Sequence, residues 1–365
     1  MPLHPLVGHH EVRRILAQAV RGGKLPSTIL LSGPAGVGKQ RLGLWLAQLL
    51  FCEHPGEEPC GRCRPCHLVL GLAHPDLHWM VPIPRPKSTD PARQVEEAGE
   101  ILAQVLEERR ANPLYLPPDG MASHGVASVR LLQRRAALTP VEGRRKVFLI
   151  GEADRLVPQE SSPEAANALL KLLEEPPADT VFVLTTTDSR RLLPTVRSRG
   201  VPLRVGRLAD DDVAQVLRDH LRPALSPEAL AERVRLAEGS VGAALAAGAG
   251  TGEAAAFHAA ASLLEAVVAG PGARMERALR QPPFAARGEF TALLDALSET
   301  LGDAARHALG QPPRRPVPEV LRRRRDPGAL LRALERVAAA REAAAGNVNP
   351  QLLLARLSED LAEVL

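Results

Sequence analysis

Gly33-Pro34-Ala35-Gly36-Val37-Gly38-Lys39 is a glycine-rich run ending on a lysine, and Gln40 follows it. In this pattern backbone N–H groups and a helix N-terminus cradle phosphates, and the lysine reaches the terminal ones. A complete phosphate loop closes on Ser or Thr, whose hydroxyl ligates Mg²⁺. Gln40 stands there instead, and its longer stem carries the amide oxygen away from that position. A working ATPase of this kind also needs an acidic pair after a later strand, one residue for Mg²⁺ and one to orient water. Here Val147-Phe148-Leu149-Ile150 leads into Gly151-Glu152-Ala153-Asp154. Glycine thus replaces the magnesium carboxylate, and Glu152 keeps the second place, with helix capping as its alternative role. Two losses around one ion predict weak ATP hydrolysis or none, and leave nucleotide binding itself open.

The four cysteines, Cys52, Cys60, Cys63 and Cys66, follow the spacing C-x7-C-x2-C-x2-C. Tight C-x2-C turns direct neighbouring sulfurs at one ion, and four thiolates close a tetrahedral Zn²⁺ site with no open position. The metal is therefore expected to be structural, with His54 and His67 surplus and solvent-exposed. Further on, Thr185-Thr186-Thr187-Asp188 ends a strand, and Thr187 is grouped with the pocket residues. The chain soon reaches Thr195-Val196-Arg197-Ser198-Arg199-Gly200. An exposed arginine just past a sheet can reach a phosphate held by a neighbouring subunit, where its planar guanidinium offsets transition-state charge, although taken alone a surface salt bridge is its default role.

These residues need a parallel sheet to position them. Apolar, β-branched runs at Thr28–Leu31, Leu77–Val81, Val147–Ile150, Val181–Thr186 and Leu203–Val205 alternate with helical patterns at Arg41–Leu50, Val129–Leu138 and Ala165–Glu174. Continuous apolar strands between helices predict an α/β layer covered on both faces. Strand signals stop near residue 207. Short helices follow near 210–220, 227–237 and 240–248, and helical periodicity then runs to the end, as in Leu330, Leu334, Val337 and Arg341, and in Leu354, Leu357, Leu361 and Leu365. The expected division is a nucleotide-binding-type domain at 1–207, a helical lid at 208–250 and a helical C-terminal domain at 251–365. Residues 83–125, with a proline-rich start, a charged helix and a turn near Pro117, form an insertion within the first.

Composition narrows the class. Aromatics are 2% and hydrophobic residues 45%, so the cores rest on aliphatic helix packing. Only five of the 46 basic residues are lysine, which makes any single surface arginine weak evidence of function and the run Arg322–Arg325 weak evidence of a DNA contact. The net charge of +4 does not demand a DNA partner. Without an apolar run of membrane-spanning length or a signal-peptide pattern, a cytoplasmic protein is expected, in which clustered cysteines bind metal rather than pair.

The chain resembles the bacterial clamp-loader family of AAA+ proteins. His4-Pro5-Leu6-Val7-Gly8-His9 is similar to its opening motif, and the thirteen residues Ala165 to Pro177 carry the most specific likeness. Thr195 to Gly200 resembles the family's Ser-Arg-Cys motif, with Gly200 in place of cysteine, and Asn347 to Leu352 resembles the end of its C-terminal collar. The resemblance implies a five-stranded AAA+ sheet with a zinc module at 52–66, a lid and an all-α collar. It also maps the family's trans-acting arginine onto Arg199. Between the family's branches, the missing lid arginine in Gly239 to Leu245 and the sequence His74-Pro75-Asp76-Leu77 favour the non-motor delta-prime branch over the gamma/tau motor. That branch implies a ring with gamma/tau and delta that places the beta sliding clamp on primed DNA, within the DNA-directed DNA polymerase holoenzyme. An active motor and a zinc-containing DNA-binding adaptor remain the alternatives.

Overall fold

A computed structural model describes residues 3–111, 122–156, 164–221, 224–247, 252–283, 288–324, 326–344 and 348–365. Part of the insertion, including Pro117, lies outside the described residues, as do Arg325 and Asn347. The chain divides into two compact units, Met1–Ala246 and Ala247–Leu365.

The first unit is built on strands β1 (Thr28–Ser32), β2 (Leu77–Met80), β3 (Lys146–Ile150), β4 (Thr180–Thr186) and β5 (Val201–Arg204). They form one parallel sheet in the order β2-β3-β4-β1-β5, the five-stranded AAA+ sheet. β3 and β4 are buried along their whole length, as strands covered by helices on both faces must be. Helices α1 (His10–Arg21), α2 (Lys39–Phe51), α3 (Arg64–Leu70), α4 (Pro91–Ala111), α5 (Val126–Ala136), α6 (Glu164–Glu174) and α7 (Pro194–Arg197) accompany the sheet. β5 begins two residues before the expected Leu203, because Val201 and Pro202 pair with β1 although they are exposed and proline cannot donate. An edge strand tolerates both.

α2 runs from the phosphate loop to the residue before Cys52 and buries ten of its thirteen residues, Leu42, Trp45, Leu46 and Leu49 among them. At the far end of the sheet, Asp76 is fully buried and accepts N–H bonds from Val141 (2.6 Å), Glu142 (2.9 Å) and Gly143 (2.6 Å). Burial alone would raise its pKa, but those three donors and the nearby His74 hold the carboxyl below its ordinary value. This clasp ties the start of β2 to the turn that enters β3.

Helices α8 (Asp210–His220), α9 (Pro227–Ala237) and α10 (Val241–Ala246) enclose a small core of their own around Val213, Leu217, Val234 and Ala244. Ser226 caps α9 by accepting the Ala229 N–H, and Pro227 starts the helix where its missing N–H costs nothing.

The second unit is helical: α11 (Gly252–Ala269), α12 (Pro271–Leu279), α13 (Glu289–Ala308), α14 (Glu319–Arg322), α15 (Pro327–Ala344) and α16 (Pro350–Val364). Leu330 and Val337 of α15 and Leu354, Leu357 and Leu361 of α16 meet Leu263, Leu264 and Leu297 in its core. Asn349 caps α16 through bonds from Gln351 and Leu352 N–H. Among the described residues no helix is long and apolar enough to cross a membrane.

Candidate functional site

A parallel sheet brings the carboxyl ends of its strands to one edge, where α/β proteins bind ligands. At that edge lie the loop after β1, the acidic turn after β3 and the end of β4. Gly36 and Gly38 hold φ of 71° and 95°, where a side chain is strained. Gly33 lies flat against the backbone after β5, since a Cβ there would sit 2.0 Å from the Val205 carbonyl.

Every carbonyl from Gly33 to Gly38 accepts a hydrogen bond. Lys39 Nζ donates to Gly33 (2.8 Å) and Pro34 (2.6 Å), Ser240 Oγ to Ala35 (3.0 Å), Gly242 N to Gly36 (2.9 Å), His9 Nε2 to Val37 (2.7 Å) and Leu42 N to Gly38 (2.9 Å). The amides of Ala35, Gly36, Val37 and Gly38 meet no acceptor among the described residues. With its carbonyls engaged, the loop keeps a nest of N–H groups for an anion. Burial lowers the Lys39 pKa to about 8 against the attraction of Asp154 and Glu152, so the ammonium form still prevails at neutral pH.

The magnesium corner is filled from within the protein. Gln40 Oε1 accepts from the Trp79 indole N–H (2.9 Å) and from Arg109 Nη1 (2.9 Å). Arg109 is 6% exposed, lies 5.0 Å over the Trp79 ring and places Nη2 3.7 Å from Glu152 Oε1. Glu152 Oε2 also pairs with Arg155 Nε at 3.0 Å. A Cβ on Gly151 would stand 2.4 Å from Gln40 Oε1, so the glutamine and an aspartate at 151 exclude one another. Beneath them the buried His124 ring donates from Nε2 to the Gly151 carbonyl (2.7 Å). The residues present fit a phosphate group and do not fit Mg²⁺: both of its usual protein ligands are replaced, and a guanidinium stands beside the replacement.

The structure places Gly33 to Gln40 and Glu152 at one corner, with Arg109 touching both Gln40 and Glu152. Thr187 does not join them; it is exposed, one residue past β4. The threonine tied to the acidic turn is Thr186, which donates to Asp154 Oδ1 at 2.8 Å, while Thr185 Oγ1 accepts the Glu152 N–H (3.1 Å). Asp154 therefore serves the end of β4. Trp79 both packs in the core and donates to Gln40. Arg109 gave no signal in the sequence, because it lies sixty-nine residues from Gln40 inside a helix that mixes arginine with glutamate.

The four cysteine sulfurs lie within 4.8 Å of one another. Cys60 N–H donates to Cys52 Sγ (3.3 Å), and Gln48 Nε2 of α2 holds the Cys66 carbonyl (3.2 Å). The Arg62 and Cys63 backbone N–H groups bring the Cys60 thiol down to about 6, while burial pushes Cys66 up. Four gathered sulfurs are a soft donor set able to hold a metal ion. His54 and His67 are exposed.

Arg199 follows α7 and is not freely exposed as expected. Its side chain is 28% exposed; Nη1 donates to the Thr195 carbonyl (2.6 Å), and the guanidinium pairs with Glu174 at the end of α6. Gly200 behind it is buried, and a Cβ there would stand 3.1 Å from Leu30 Cβ.

The family model described as DNA polymerase III, delta subunit, matches residues 8–209, a stretch holding the phosphate loop, the cysteine cluster and Arg199. The chain belongs to that family. It is 31% identical over 189 residues to the DNA polymerase III subunit delta′ of Bacillus subtilis, covering 52% of this chain and 45% of the relative. It is 31% identical over 233 residues to the delta′ subunit of Escherichia coli, covering 63% and 57%. The gamma/tau subunit of Mycobacterium tuberculosis matches at 31% over 195 residues, with 53% and 27% covered. The matched part thus spans about half the length of the delta′ relatives, and identity alone does not separate the two branches.

Proposed function

We propose that this chain is the delta-prime, non-motor subunit of a DNA polymerase III clamp loader. In this reading it assembles with gamma/tau and delta, and the complex places the beta sliding clamp on primed DNA. Its three parts are a sheet domain at 1–207, a lid at 208–250 and a collar at 251–365 that joins the subunits. The observation that supports the non-motor branch is the exchange at the magnesium corner: Gln40 and Gly151 replace the metal ligands, and Arg109 stands beside them.

Arg199 acts on a neighbour's ATP. Its pairing with Glu174 is that of a partly exposed ion pair, worth about 0–1 kcal/mol, and a triphosphate across a subunit boundary displaces the carboxylate easily. The guanidinium then offsets charge developing on the transferred phosphate. Zn²⁺ held by Cys52, Cys60, Cys63 and Cys66 is structural and braces the end of α2.

In a loader reconstituted with gamma/tau and delta, Arg199→Ala leaves assembly intact and lowers DNA-stimulated hydrolysis at the adjoining site by about 10³-fold or more. Undiminished hydrolysis would rule out the trans role.

A further inference from the structure

We propose that the phosphate loop of this chain takes the phosphates of a nucleotide as the metal-free anion, with the Arg109 guanidinium standing where a working ATPase holds Mg²⁺. The inference rests on the reading that this pocket has lost its metal, and it assigns a role to the insertion helix that delivers the arginine.

Three observations carry it. The amides of Ala35 to Gly38 point to no acceptor among the described residues, while all six carbonyls from Gly33 to Gly38 are engaged. Two buried cations serve the same pocket, Lys39 at 8% and Arg109 at 6% exposure. Arg109 is fixed by the Gln40 amide, the Trp79 ring and Glu152, so its charge sits at one end of the loop without any ion. Among the described residues Lys39 feels the charges of Asp154 and Glu152, and Arg109 and Arg155 both reach Glu152. A divalent cation brought in with the nucleotide meets a fixed guanidinium of like sign and finds neither the hydroxyl nor the carboxylate that normally holds it.

The test is a calorimetric titration of the full chain with ATP, once in EDTA and once with excess Mg²⁺. Binding is expected in EDTA, and Mg²⁺ leaves it unchanged or weakens it. Tighter binding with Mg²⁺, or no binding in either buffer, overturns the proposal. Arg109→Met is expected to weaken binding in EDTA about tenfold, the scale of one charged hydrogen bond, and Arg109→Lys less. Unchanged affinity in a folded Arg109→Met protein also overturns it. Should that variant fail to fold, the two-buffer comparison on the native chain still decides. A loader in which Arg199→Ala has no effect would defeat the trans role and leave these titrations untouched.

Discussion

Placing a single methyl group at residue 151 tests the exchange at the magnesium corner directly. Gly151 has no positive φ, so Gly151→Ala adds a Cβ without backbone strain. That Cβ arrives 2.4 Å from Gln40 Oε1, 2.6 Å from its Cδ and 2.9 Å from its Nε2. The glutamine cannot simply swing away, because Trp79 Nε1 and Arg109 Nη1 both hold its oxygen at 2.9 Å. Overpacking of this kind costs about 1–3 kcal/mol. Gln40→Ala alone removes the acceptor from two buried donors, at about 1–3 kcal/mol. In the double variant the new methyl meets no amide. The two losses then fall short of their sum, with an expected coupling of about 1–2 kcal/mol. Urea denaturation, followed by Trp45 and Trp79 fluorescence, measures all three variants. Additivity within about 0.5 kcal/mol would show that residues 40 and 151 do not constrain one another.

Acid and metal removal give two further expectations. Burial lowers the His124 pKa from 6.5 to about 4, so the folded protein binds fewer protons than the unfolded chain between those values. The neutral ring's contribution is therefore complete above pH 6.5 and fades as the pH falls toward 4, by about 2 kcal/mol at pH 5. His124→Gln should flatten the stability profile between pH 6.5 and 5; equal slopes would contradict the assignment. For the cysteine cluster, elemental analysis should find about one zinc per chain, and a strong chelator should lower the melting temperature and shift Trp45 emission, because the indole N–H bonds Glu58 (2.7 Å) inside the cysteine segment. A folded, metal-free chain with unchanged emission would refute the site.

The phosphate loop, the acidic turn and the cysteine cluster were legible because each is local: its chemistry lies in neighbours a few positions apart. The sheet followed for a related reason, since a strand buried on both faces, such as Thr180–Thr186, is apolar throughout except where it carries threonine. Strand order and the magnesium corner were not legible. Gln40, Trp79, Arg109 and Gly151 come from four separate segments, and only packing brings α4 back over β2. The end of the strand at Thr186 was legible, but which of three successive threonines reaches Asp154 is decided only by packing. The Glu174–Arg199 pair stayed hidden because a surface arginine in this composition has many carboxylates within reach.

One rod of about thirteen residues, roughly 20 Å long, begins at the phosphate loop and ends against the thiols. Peroxide that converts those sulfurs to sulfenates or disulfides would release the Gln48 grip on the Cys66 carbonyl and slacken the rod at its far end. Oxidative damage at the cysteines would thus register at the anion nest without touching it.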